Sequence, residues 1–193
     1  MNIFFLSLFP IQCAAMHIDL HVRKMIIEYA QLLCTAHRVL DGTMIIERSN
    51  KNRKIKRWVL KSNDEQFYKA THVNHPCAKW TRLNGLHYTW LYELFIALCD
   101  EYQYRFHKVH LTDLKLRIAL KRLPKNIPLQ CSFERFPLAM PEQYQISDSV
   151  IECYQTFYHH EKQATKAGKP MNHWTNRTVP CFMKISFCNI EQL

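Results

Sequence analysis

Between Ala15 and Leu40 apolar residues recur at every third or fourth position: Ala15, Ile18, Val22, Met25, Tyr29, Leu32, Ala36 and Leu40. That spacing belongs to one face of an α-helix. Leu20, Ile27 and Cys34 add a second apolar side, so the helix is expected to run through the core. The pattern predicts one long helix from about Gln12 to Leu40, stopped by "DGT" at 41–43. The chain has only three glycines, Gly42, Gly85 and Gly168. Their scarcity argues against β-hairpin architectures and against a glycine-rich phosphate loop, and neither nucleotide-binding glycine motif is present.

On this helix His17, His21, Lys24, Glu28 and Gln31 follow one another at intervals of four, three, four and three. Such spacing stacks them in one polar stripe. A polar stripe on a largely apolar helix faces water, an internal network or a pocket. One reading is an exposed Lys24–Glu28 ion pair with two rim histidines. Another is an active site, in which a lysine beside a carboxylate acts as nucleophile or acid–base partner and the imidazoles move protons. A third takes His17 and His21 as a chelating pair, completed by His37 or His75, although the chain has no H-E-x-x-H.

Further along, Ser62 with Glu65 reads as a capping box opening a short helix. Asn84 caps a second strong helix through Tyr88, Leu91, Phe95, Leu98 and Tyr102, and residues 112–123 form a third. Prolines 124, 128, 137 and 141 break the next stretch into an irregular connection. A last helix is expected over 147–168, capped by Ser147 and stopped by Gly168, before a basic–aromatic tail over 169–193. The predicted fold is all-α: one domain over 1–193, a compact bundle around a long N-terminal helix entered by a short extended segment.

The formal charge is +10, with eleven histidines besides. That excess points to a polyanionic partner, in the first place nucleic acid. Eight cysteines without a C-x-x-C read as small buried hydrophobes in a reducing, intracellular compartment. The opening "NIFFLSLFPIQCAA" lacks a basic leader region and is interrupted by Pro10, so a buried extended segment is expected rather than a signal peptide. No stretch reaches the roughly 20 apolar residues of a membrane span.

Basic and aromatic residues interleave in three segments: His75, Lys79, Trp80 and Arg82; Arg105 and Lys108; Trp174 and Arg177. With Arg23 these are the candidate contacts to bases and phosphates, weighed against burial of the tryptophans as core anchors. The run Lys51, Arg53, Lys54, Lys56 and Arg57 is read as a basic loop, either simply solvated or touching phosphate.

The N-terminal helix "CAAMHIDLHVRKMIIEYAQLLCTAHRVLDG", the "NHP" at 74–76 with Trp80, and "YTWLYELFIALCDEYQYR" are similar to the pyrimidine-dimer DNA glycosylases of phage endonuclease V type. The likeness to phage and large-virus proteins of that pattern runs over nearly the whole chain; to the glycosylases proper it covers about 1–42 and 72–105. The resemblance implies an all-α enzyme that flips a base out of duplex DNA and attacks the sugar C1′ with an amine. It then passes through a Schiff base and needs no cofactor or metal. In that family the nucleophile is the α-amine left after removal of the initiator methionine, and a helix glutamate assists. Here Asn2, a side chain that hinders such removal, follows Met1, and "VRKMIIE" stands where the family has an Arg–Glu pair. The resemblance therefore assigns Lys24 or the terminal amine as nucleophile, Glu28 as stabiliser of the cationic intermediate and His21 as proton shuttle. The alternatives are a metal-dependent enzyme on nucleotides or nucleic acid using His17 and His21, and a nucleic-acid-binding protein without catalysis.

Overall fold

The computed structural model describes residues 1–62, 64–129, 132–164 and 168–184. The fold is mostly helical. In chain order the elements are α1 (Pro10–Met16), α2 (Asp19–Asp41), β1 (Thr43–Arg48), β2 (Lys54–Val59), α3 (Pro76–Thr81), α4 (Gly85–Phe106), α5 (Leu111–Leu116), α6 (Val150–Glu161) and α7 (Cys181–Lys184). Short 3-10 turns lie at Ala119–Lys121 and Glu142–Tyr144.

The centre is the pair α2 and α4, with α1 laid on α4 and both α3 and α5 on α2. Tyr29, Leu32 and Leu33 of α2 meet Tyr88, Leu91, Phe95 and Leu98 of α4 in one buried cluster. Full burial of each such side chain contributes about 1.5–3 kcal/mol. The N-terminal residues run extended into the same core. Ile3 and Leu6 are fully buried, and the Phe4 N–H donates to the Tyr29 hydroxyl at 3.2 Å.

The single helix expected over 12–40 is instead two helices broken at His17 and Ile18. No proline or glycine causes the break; polar groups from distant parts of the chain do. The buried Arg105 donates to the carbonyls of Ala15 and His17, each at 2.9 Å, and to the Asp19 carboxylate at 2.9 Å. The Ile18 N–H donates to the Tyr158 hydroxyl at 3.0 Å, and the Trp174 indole donates to the Met16 carbonyl at 3.0 Å. Thr175 closes on Asp19 from the other side, its hydroxyl donating at 2.6 Å. Backbone groups that a continuous helix would pair internally are thus satisfied from α4, α6 and the tail.

The fold is also not purely α. The basic run expected as a loop is a two-stranded antiparallel hairpin, from Thr43↔Val59 to Arg48↔Lys54. Asn52, at φ 54°, takes the left-handed turn position in place of a glycine. Gly42 matters for close approach instead: a Cβ there would lie 2.5 Å from the Arg38 carbonyl oxygen. Arg38, in the last turn of α2 and 4 % exposed, ties the hairpin base down. It donates to the carbonyls of Trp58 at 2.7 Å, Tyr68 at 2.7 Å and Phe67 at 2.9 Å, and pairs with Asp64 at 2.5 Å.

Asp64 also accepts from the Leu60 N–H at 2.9 Å, which bends this stretch into turns where Ser62 and Glu65 predict a helix. The helix expected over 112–123 ends at Leu116, because the Arg117 and Leu120 carbonyls are taken by the hydroxyls of Tyr92 and Tyr88. The last long helix starts two residues later, with Ser149 in place of Ser147 accepting from the Glu152 N–H, and ends at Glu161 rather than near Gly168. Part of that expected helix, 165–167, and the tail beyond 184 lie outside the described residues. Among the described residues no helix is long and apolar enough to cross a membrane.

Candidate functional site

The five-residue stripe divides in two. His17 sits in the break before α2, fully buried, and His21 is 4 % exposed on the core side of the helix. His17 Nδ1 bonds the Cys13 carbonyl at 2.7 Å, which makes Nδ1 the donor and leaves Nε2 to accept from the Tyr29 hydroxyl at 3.1 Å. The Tyr158 hydroxyl accepts from Ile18 and so donates to His21 Nδ1 at 2.7 Å, while the ring stacks on Phe4 at 4.7 Å. Burial pushes the pKa of His17 down to about 4. It pushes that of His21 to about 2, with the charges of His17, Lys162 and Lys24 acting in the same sense. Both imidazoles are neutral fixtures of the packing around the first seven residues. Neither faces solvent as a shuttle would, and among the described residues no group of three or more His, Cys, Asp or Glu could hold a metal ion.

Lys24 and Glu28 remain on the outer side. Lys24 Nζ lies 3.1 Å from Glu28 Oε1; the lysine side chain is 59 % exposed and the glutamate 15 %. The N-terminal ammonium of Met1 lies 3.9 Å from the other oxygen, Oε2, with the Met1 side chain 4 % exposed. One carboxylate is therefore bracketed by two primary amines. Asn2 fixes this arrangement. Its Nδ2 donates to the Ala139 carbonyl at 2.9 Å, and its Oδ1 accepts from the Cys77 thiol and the Tyr154 hydroxyl.

His75, the N-cap of α3, approaches from a third side. Burial lowers its proton affinity, the Met1 and His72 charges lower it further, and Glu28 opposes them. Lys162, just past α6, stands 5.0 Å from the Phe157 ring and 5.9 Å from the Phe4 ring. Burial lowers its pKa; Glu161 opposes the shift, and the nearby Lys24 charge adds to it. No local pattern in the sequence points to Lys162 or Asn2; only folding brings α6 and the terminus to α2.

The expected DNA contacts scatter. Arg23 is exposed, its guanidinium 4.3 Å above the Phe106 ring, and shares a 280 Å³ hollow with Tyr102, Phe106 and Lys108. Lys79 is exposed as well. Trp80 is a core anchor, 5 % exposed and stacked on His87 at 4.1 Å, with its indole donating to the Glu134 carbonyl. Arg82 is half-buried.

Arg105 and Trp174 are buried against the α1–α2 break, while Arg177 is exposed and joins Arg105 on Glu101. Arg105 is 2 % exposed and pairs with Glu101 at 2.6 Å; Arg177 binds both oxygens of the same carboxylate, at 2.9 and 2.8 Å. Burial pushes Glu101 upward, but hydrogen bonds from Arg177 and Arg105 outweigh it and hold the group below its ordinary range.

A 540 Å³ groove lined by Phe9, Ile11, Tyr92, Ile96 and Ile118 shares no residue with the Glu28 cluster. Comparison of the chain with models of known protein families, with curated proteins and with solved structures finds no match, so the case for any function rests on the chemistry of the side chains just described.

Proposed function

We propose that this protein acts on DNA as a glycosylase or abasic-site lyase, with a primary amine as nucleophile and Glu28 stabilising the cationic intermediate. The observation that carries the reading is the sheltered Glu28 carboxylate between two amines, 3.1 Å from Lys24 and 3.9 Å from the Met1 nitrogen. Either amine can serve as the nucleophile, since both lie against Glu28. They differ in setting: the neighbouring Asn2 is anchored on the Ala139 carbonyl, whereas the Lys24 side chain is 59 % exposed.

On a damaged nucleoside the amine lone pair forms a bond to C1′, and the base leaves with the glycosidic electron pair and takes up a proton. Loss of an amine proton and opening of the sugar ring give an iminium ion, whose charge the adjacent carboxylate offsets. On an abasic aldehyde the same amine condenses with loss of water. Removal of a C2′ proton then expels the 3′ phosphate. The nearby Lys24 and Lys162 supply cationic contacts for the phosphates of the strand.

Borohydride trapping on duplex DNA carrying an abasic site, an ultraviolet photoproduct or a modified pyrimidine tests the proposal. A covalent adduct is expected, mapped by peptide analysis to Met1 or to Lys24. Glu28→Gln should slow its formation by about 10²–10⁴-fold, with DNA affinity unchanged. The absence of an adduct on all three substrates removes the enzymatic reading. It leaves a DNA-binding protein, which the exposed Arg23, Lys79 and Lys108 also support and whose affinity would ignore Glu28→Gln.

A further inference from the structure

The hairpin carries six basic side chains and one acidic one over residues 43–59, and the register sorts them by face. Side chains alternate along a strand. Thr43, Ile45 and Glu47 therefore share one face with Ile55, Arg57 and Val59, and there Glu47 and Arg57 neutralise each other at 3.4 Å. The opposite face holds Met44, Ile46 and Arg48 beside Trp58, Lys56 and Lys54. It has three cations and no acid.

Arg48 stands directly across from Lys54, and both are exposed. Like charges at paired positions destabilise a ladder, so this face is arranged against the stability of the free hairpin. Ile46, next to them, is 62 % exposed, and Met44 is 47 % exposed. None of residues 43–59 belongs to the hydrophobic core. The ribbon stands on its Arg38 anchor, with Met44, Ile46, Arg48, Lys54 and Lys56 of its cationic face exposed and Trp58, at the foot, half-buried.

We propose that the Met44–Ile46–Arg48/Lys54–Lys56–Trp58 face of the hairpin is a DNA-binding arm that lies along a groove of duplex DNA. It rests on the reading of DNA as the partner, yet it is separate from the chemistry at Glu28. Charge complementarity selects the partner: three unneutralised cations on one face suit a phosphate backbone. Shape selects the duplex. Six residue pairs span about 20 Å, and a two-stranded ribbon fits the roughly 12 Å width of the major groove. The aliphatic side chains between the cations can meet base edges such as the thymine methyl.

The test is fluorescence anisotropy with a labelled 20-base-pair duplex, titrated with salt, for Arg48→Gln/Lys54→Gln/Lys56→Gln and for the opposite-face control Arg57→Gln. Each phosphate contact adds about 0.9 to the slope of log affinity against log salt. The triple variant should lower the slope by about 2–3 and weaken binding at 0.1 M salt at least tenfold. Arg57→Gln should stay within twofold. Borohydride trapping at saturating protein should still occur in the triple variant, which separates failure of the arm from failure of the Glu28 chemistry. Equal losses in the triple variant and the control overturn the proposal, as does an unchanged slope. So does a loss confined to single-stranded DNA or to vesicles of phosphatidylserine and phosphatidylcholine.

Discussion

The cluster around Glu28 and the hairpin are both cationic, and they are built in opposite ways. The cluster joins Lys24 and Glu28 of α2 to the Met1 amine, held by the bonds of Asn2, on a helix whose inner side is fixed by the buried pairs His17–Tyr29 and His21–Tyr158. The hairpin hangs from one guanidinium. Positioning two amines against a carboxylate needs a rigid frame, because catalytic geometry tolerates only small displacements. Gripping a phosphate backbone needs charge and reach, and a loosely tethered ribbon supplies both.

The largest expected effect attacks the frame. Arg105→Met leaves Glu101 and Asp19 without their shared cation and frees the carbonyls at the α1–α2 break. It should cost about 3–5 kcal/mol, read by urea unfolding, and abolish trapping while the hairpin stays paired. Acid comes next. His17, His21 and His37 are held neutral by burial, with pKa values lowered to about 4, about 2 and about 4 from 6.5. The unfolded chain takes up protons that the folded rings refuse. Their stabilisation is complete above pH 6.5 and drains as pH falls towards 4, by about 1.4 kcal/mol per histidine per pH unit. A melt at pH 5.5 should show about 4 kcal/mol less stability than one at pH 8, and replacing His21 with Phe should remove about a third of that dependence. The hairpin holds no histidine.

Arg38→Met attacks the other side. Its partner Asp64 is 42 % exposed, so solvent screens part of the loss and about 2 kcal/mol is expected. Amide hydrogen exchange should speed up in 43–59 far more than in α2. Smallest is Lys24→Ala, which breaks an exposed i, i+4 pair and should cost about 0.5 kcal/mol or less.

These regions differ in how far the sequence announces them. The start of α4, the Asn84 cap and the Tyr88–Leu98 core stripe follow from local spacing and are found as read, whereas the helix stops at Phe106, short of the His110 to which the pattern extends. The end of α2 at Asp41 is equally local. The break at His17 is not, because its causes are Arg105, Tyr158 and Trp174, more than eighty residues away. Glu101 lies four residues before Arg105, and that spacing already signals a paired arginine rather than one free for phosphate. The hairpin was hidden because asparagine, not glycine, makes its turn. At the candidate site, Lys24 and Glu28 were legible as an i, i+4 pair, whereas the Met1 amine and Lys162 reach them only through tertiary packing. Of the eight cysteines, Cys13, Cys34, Cys77, Cys99 and Cys153 are buried thiols as the pattern implies and Cys181 is exposed; Cys131 and Cys188 lie outside the described residues.

Thr43 and Val59 face each other across the foot of the hairpin. The chain therefore departs from the helical body and rejoins it at practically one point, and the tip near Lys51 is solvent-exposed. The arm is in effect a detachable module. It can be opened at its tip to receive a fluorophore-bearing peptide, away from the Arg38 bond to the Trp58 carbonyl at its foot.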